Sequence, residues 1–162
     1  MNIFLPYDNS ATSSARVLDD RRLLKQILET RQILQVAKGE SEGFKNHPIT
    51  KHYIKYPEFL IYYGYCCCVE YKYRFNKKHA YYDYFEEEFF NINKERLFWI
   101  PFYVAGAENS PDCVRTIKNV SELYQNKLCE KWQEDIVKGR PPKWTNRLVP
   151  EFYYKKMNKE GE

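Results

Sequence analysis

Apolar and polar positions between residues 18 and 37 recur with the period of an α-helix. Leu23, Leu24, Ile27, Leu28 and Leu34 form the apolar side, while Arg22, Gln26 and Glu29 fall at i, i+4 and i+7 on one polar face. The pattern predicts a first helix from about Ser13–Ser14, where hydroxyls can cap it, to about Ala37–Lys38, where Gly39 stops it. Ahead of it, Ile3, Phe4 and Leu5 followed by Pro6 read as an extended, partly buried arm. Residues 39–49, punctuated by Gly39, Gly43 and Pro48, read as a loop. A second helix is predicted from Pro57 to about Phe75, with Phe59, Leu60, Tyr63, Cys67, Glu70, Tyr71 and Arg74 at helical spacing; it is apolar enough to be central. A third helix is expected over 79–97, an irregular stretch over 98–116, and a fourth helix from Val120 to about Val137. Gly139, Pro141 and Pro142 end that helix. The aromatic and basic tail, 143–157, is expected to dock onto the body. The resulting picture is an all-α, compact helical bundle, with residues 1–162 in a single domain and no internal repeat or linker.

Composition adds modest constraints. The hydrophobic fraction of 43% suffices for a core, and only six glycines in 162 residues favour helices. Aromatic content is high, with fifteen Tyr, ten Phe and three Trp. Most of these rings read as core, although stacking surfaces for bases are the alternative. A net charge of +4 permits a polyanionic partner without demanding one. Three of the five cysteines are consecutive (Cys66–Cys68) and no Cys-x-x-Cys pair exists, so they read as reduced, mostly buried thiols. No apolar run approaches the ~20 residues of a membrane span, and no signal peptide is visible. The expected setting is the cytoplasm. The sequence sets no oligomeric state.

Glu29 is the candidate acid–base group, because Arg22 and Lys25 stand close on the same helix and would draw a phosphate to it. An ordinary surface ion pair is the bland alternative. The candidate phosphate-binding residues are Arg21, Arg22, Lys25 and Gln26 on the helix, Asn46 and His47 one loop later, and Arg140, Lys143 and Trp144 beyond the last helix. His47 could fold back over the polar stripe, or serve as a hydrogen-bonded loop residue. Trp144 could stack on a base, or pin a helix terminus to the core. No cluster has metal-ligand spacing, no cofactor motif is present, and nothing matches a phosphate-binding glycine loop or a serine nucleophile turn.

Taken in order, these features resemble the pyrimidine-dimer DNA glycosylase/endonuclease V family, in its divergent phage and bacterial branch. The resemblance rests on Met-Asn-x-Phe-Leu-Pro-Tyr at residues 1–7, Leu-Asp-x-x-Arg-Leu-x-Lys-Gln near 18–26, a Gly-rich loop ending in Asn-His-Pro (46–48), Glu-Tyr-x-Tyr-Arg at 70–74, a helix with Tyr124 and Lys127, and Arg-Pro-Pro-x-Trp near 140–144. It implies an all-helical protein that binds damaged or abasic duplex DNA. It also implies Glu29 as acid–base group, Arg22 on a phosphate near the lesion, and Arg140, Lys143 and Trp144 in the segment packed near DNA. His47 falls on the family's Asn-His step. Family chemistry uses the N-terminal α-amine, which ordinarily titrates near ~7.7–8.0, to attack a sugar C1′. Here Asn2 is bulky enough that Met1 is expected to be retained, so Met1 would carry the nucleophile. Leu28 stands where a cation would be expected. The implied activity is that of a glycosylase with AP-lyase chemistry. The alternatives are a phage protein that binds or cleaves small nucleotides as a counter-defence, and a non-catalytic DNA-binding protein.

Overall fold

The helix predicted from about Ser13–Ser14 to about Ala37–Lys38 does not form as one piece. A computed structural model describes residues 1–7, 10–98, 103 and 117–158. In it the stretch divides into α1 (Ala11–Val17) and α2 (Asp20–Ala37). Ser10 caps α1 by accepting the Ser13 N–H at 3.0 Å. Leu18 and Asp19 are both extended, which breaks the expected single helix. The cause is tertiary. Leu18 is fully buried, the Asp19 carboxylate accepts the Trp132 indole N–H at 2.8 Å, and the Asp20 N–H donates to the Lys143 carbonyl at 2.8 Å. At the far end Gly39 adopts φ 74°, and the Glu40 N–H reaches back to the Gln35 carbonyl at 2.8 Å, closing α2 with a left-handed cap.

A short helix, α3 (Pro48–Tyr53), follows the loop where none was expected. Pro48 sits in its first turn and His47 is its N-cap, with ring Nδ1 accepting the Ile49 N–H at 3.2 Å. The second predicted helix is realised as α4 (Pro57–Phe75), which packs on α1, α2 and α5 (Tyr82–Asn91). Gly64 matters to that packing, since a Cβ there would lie 2.2 Å from the Phe85 ring. The expected helix over 79–97 is shorter than its pattern. Ile92 is extended, the Asn93 side chain accepts the Glu95 N–H, and a separate 3₁₀ turn spans Lys94–Phe98. Apart from Phe98 and Tyr103, the stretch 98–116, with Cys113, lies outside the described residues.

α6 (Ile117–Val137) starts slightly earlier than predicted and ends in a second left-handed cap. Gly139 has φ 73°, and the Arg140 N–H donates to the Asp135 carbonyl at 2.7 Å. α7 (Glu151–Met157) packs on α6. Phe152 stacks on Trp132 at 5.7 Å, and Trp144 meets Trp132 edge-on at 5.3 Å. No strand occurs among the described residues, and the fold is all-α. Cys66, Cys67, Cys68 and Cys129 are buried free thiols, and burial pushes the first three up. No helix among the described residues is long and apolar enough to cross a membrane.

The N-terminal arm is more deeply buried than its pattern suggested. Ile3 and Leu5 are 0% exposed. Gln26 of α2 clamps the arm at two points: its Nε2 donates to the Asn2 carbonyl at 2.7 Å and its Oε1 accepts the Phe4 N–H at 2.9 Å. From α4, the Tyr63 hydroxyl lies 2.7 Å from both the Phe4 carbonyl and Gln26 Oε1. The arm is therefore held between α2 and α4, and this fixes where the chain terminus lies.

Candidate active site

The arm, α2 and the C-terminal half of α6 enclose a half-open cleft of about 200 Å³. Met1 and Asn2 form one wall; Arg22, Lys25, Gln26 and Glu29 form the second; Lys131, Glu134, Asp135, Lys138 and Arg140 form the third. The α2 wall is the polar stripe predicted from helical spacing. It faces inward, since Arg22 and Gln26 are buried and Glu29 is half-buried. The α6 wall repeats the same spacing, with Lys131, Asp135 and Lys138 at i, i+4 and i+7.

Burial pushes the Glu29 carboxyl above the usual carboxylate range. Four features oppose that shift by favouring the anion: the Met1 ammonium, a hydrogen bond from the Asn2 backbone N–H, Lys25 and Arg22. The Met1 side chain is anchored away from this cluster, packed on the core with its sulfur accepting the Thr50 hydroxyl at 3.8 Å. A terminal nitrogen and a carboxyl of raised proton affinity thus share one cavity. Cationic groups along the walls (the Met1 ammonium, Arg22, Lys25, Lys131, Lys138 and Arg140) outnumber anionic ones (Glu29, Glu134 and Asp135) six to three. An anion entering the cleft meets a net positive lining.

Arg22 is the most enclosed of these cations. Its side chain is 6% exposed and its Nη2 is bonded to Asp135. Its Nε is buried without a partner. Asp135 also faces Arg140, whose Nη2 lies 3.5 Å from the other carboxylate oxygen. Behind Arg22, burial pushes the Asp19 carboxyl up; the Trp132 hydrogen bond and the Arg22 charge hold it down, and Asp135 adds to the rise. Lys25 is exposed, with no ion pair within 4.0 Å among the described residues.

The candidate residues named from sequence do not all converge. Met1, Glu29, Arg22, Lys25, Gln26 and Arg140 line the cleft. Gln26 lines it with an amide whose oxygen and nitrogen are both bonded to the arm or Tyr63. Arg21, Asn46, His47, Lys143 and Trp144 are not among its walls. His47 caps α3 and does not fold back over the stripe. Trp144 is 9% exposed, packed on Trp132 and Tyr153, with its N–H on the Val17 carbonyl at 2.9 Å; this is the helix-pinning alternative. Lys143 and Arg21 are exposed. Sequence reasoning passed over Asp135, Lys131 and Lys138, although their spacing copies that of the α2 stripe. It also passed over Asn2, whose backbone reaches Glu29. Among the described residues no group of three His, Cys, Asp or Glu side chains is placed to hold a metal ion.

What fold and cleft define together is an all-helical protein with a terminal amine and a carboxyl set among cations. The sequence profile of the pyrimidine dimer DNA glycosylase family matches residues 1–83, just over half of the chain, and the chain belongs to that family of DNA repair glycosylases. The matched segment contains the arm, α2 and α4; the α6 wall lies beyond it. No curated protein and no solved structure matches the chain.

Proposed function

We propose that this chain is a DNA glycosylase with AP-lyase activity, acting on damaged or abasic duplex DNA, with the Met1 α-amine as nucleophile and Glu29 as acid–base group. The observation that carries the reading is that Met1 and Glu29 line one cleft, with the Met1 ammonium and the Asn2 backbone N–H both favouring the Glu29 carboxylate. In the reaction, the neutral amine attacks the sugar C1′ and the glycosidic bond breaks, its electron pair leaving with the base. The amine's proton passes to Glu29, a carboxyl whose raised proton affinity suits that transfer, and from Glu29 to the departing base. The carboxylate so regenerated stabilises the iminium that links Met1 to the opened sugar. It then takes a C2′ proton, which expels the 3′ phosphate by β-elimination, and water hydrolyses the imine to free the Met1 amine.

Arg22, Lys25 and Arg140, joined by Lys131 and Lys138, supply the positive field for the flanking phosphates. The whole chain, 1–162, would act as one domain, because α6 provides a wall that residues 1–83 lack. The test is incubation with a duplex bearing an abasic site in the presence of borohydride. A covalent protein–DNA adduct is expected, and its absence would remove the lyase assignment. Duplex affinity measured against salt should fall steeply, as several phosphate contacts require. A flat response with tight mononucleotide binding would favour a nucleotide-handling protein instead.

A further inference from the structure

The α6 wall carries a carboxylate that the amine–carboxyl chemistry does not use. Asp135 is 3% exposed and stands between the cleft's two guanidinium groups. One of its oxygens holds the Nη2 of buried Arg22, and the other faces the Nη2 of Arg140 at 3.5 Å. The backbone builds this arrangement. Gly139 turns the chain left-handed after α6, and the Arg140 N–H returns to the Asp135 carbonyl at 2.7 Å, bringing the Arg140 side chain back over the carboxylate. The grip on Arg22 is one-sided: Asp135 takes an Nη, while Nε is buried without a hydrogen-bond partner. The Asp135 carboxylate is therefore what orients the Arg22 guanidinium. The two bonds also differ. Arg22 is enclosed, whereas the Arg140 side chain is 44% exposed and its contact is long, so Arg140 is free to exchange Asp135 for a phosphate.

We propose that Asp135 is a positioning residue: it sets the spacing and orientation of Arg22 and Arg140, and so decides where a DNA phosphate rests relative to Met1 and Glu29. The inference rests on the reading of the cleft as a DNA site. It adds a residue outside the segment that matches the family.

The experiment is steady-state kinetics of the chain, residues 1–162, on an abasic duplex, with Asp135→Asn and Arg140→Gln alone and combined. Asp135→Asn should raise KM by about 10-fold to 100-fold while kcat stays within a factor of about three, since misplaced binding groups disturb capture of the phosphate before they disturb the amine. Arg140→Gln should raise KM less and lower the salt slope of binding by about one. In the Arg140→Gln background, Asp135→Asn should have a smaller effect than alone, because part of its action runs through Arg140. A lower melting temperature with KM and salt slope unchanged in Asp135→Asn would overturn the proposal, leaving Asp135 as a fold element. If Asp135→Asn does not fold, Arg140→Gln and Asp135→Glu decide: both should shift KM, and an unchanged KM in both would overturn it. An unsubstituted protein that neither traps nor binds duplex DNA would instead overturn the underlying reading of the cleft.

Discussion

Arg74 and Arg22 are both buried guanidinium groups on helices, and their surroundings differ in completeness. Arg74 is 0% exposed, and its Nε, Nη1 and Nη2 all have partners: Glu70, Asp20 and the carbonyls of Ala15 and Arg16. Its partners are satisfied as well. Glu70 receives a two-pronged bond from Arg147 at 2.8 and 2.9 Å, and Asp20 accepts both the N–H and the hydroxyl of Thr145. The network ties the 143–147 tail to α2 and α4. Arg22 has a carboxylate partner, Asp135, on one Nη and an orphaned Nε, beside Lys25 and a half-buried Glu29. The two regions use the same residue types. One network is closed, with every charge answered; the other leaves a guanidinium nitrogen without a partner, the incompleteness that the proposed anion site would account for.

The largest effect expected from this contrast concerns Glu29. Glu29→Gln should lower adduct formation with abasic DNA by at least ~10²-fold while duplex affinity stays close to that of the parent. Undiminished trapping would make Glu29 part of the scaffold, like Glu70. Next in size, Arg74→Met should destabilise the protein by about 3–5 kcal/mol, because it takes the buried cation from Glu70 and Asp20 and a donor from the Ala15 and Arg16 carbonyls, while the folded fraction still traps DNA. A urea titration reads the loss, and an unchanged midpoint would show that the closed network contributes little.

Smaller effects separate the cleft from the surrounding surface. Lys25→Gln should reduce the salt slope of duplex binding by about one, whereas Lys143→Gln, outside the cleft walls, should change it less. Equal slopes for the two variants would dissolve the distinction. The smallest effect is one of stability. Burial raises the proton affinity of Glu29 in the folded protein, so the folded state holds that proton more tightly than the unfolded chain does. Stability is therefore lost as pH rises from the ordinary carboxylate range through the raised value. Glu29→Gln cannot ionise. Its urea midpoint should exceed the parent's at pH 7, with the gain closing as pH falls below the ordinary carboxylate range. A variant less stable than the parent at pH 7 would show that the fold favours the anion.

The parts of the fold written in local signals were legible in the sequence. Pro57 and the apolar period announced α4 to its ends, and Gly39 and Gly139 marked left-handed caps. The break at Leu18–Asp19 was not legible, because the helical pattern runs straight through it. The groups that force the break, Trp132 and Lys143, lie more than a hundred residues away. The α2 half of the cleft could be read from spacing. The α6 half carried the same spacing, but only tertiary packing says that the two stripes face each other. Gln26 stood out as a polar group on the stripe, but nothing in the sequence shows that its amide also clamps the backbone of the arm. Trp144 and His47 offered two readings each, and their hydrogen bonds to Val17 and Ile49 are structural ones.

The central claim is that the terminal amine, held beside Glu29, is the attacking group. Borohydride trapping on abasic duplex, followed by proteolysis and mass mapping of the DNA-linked peptide, tests it most directly. The sugar remnant should be found on the α-nitrogen of Met1, and only there. A remnant on a lysine side chain such as Lys25, or no adduct with DNA fully bound, would contradict it.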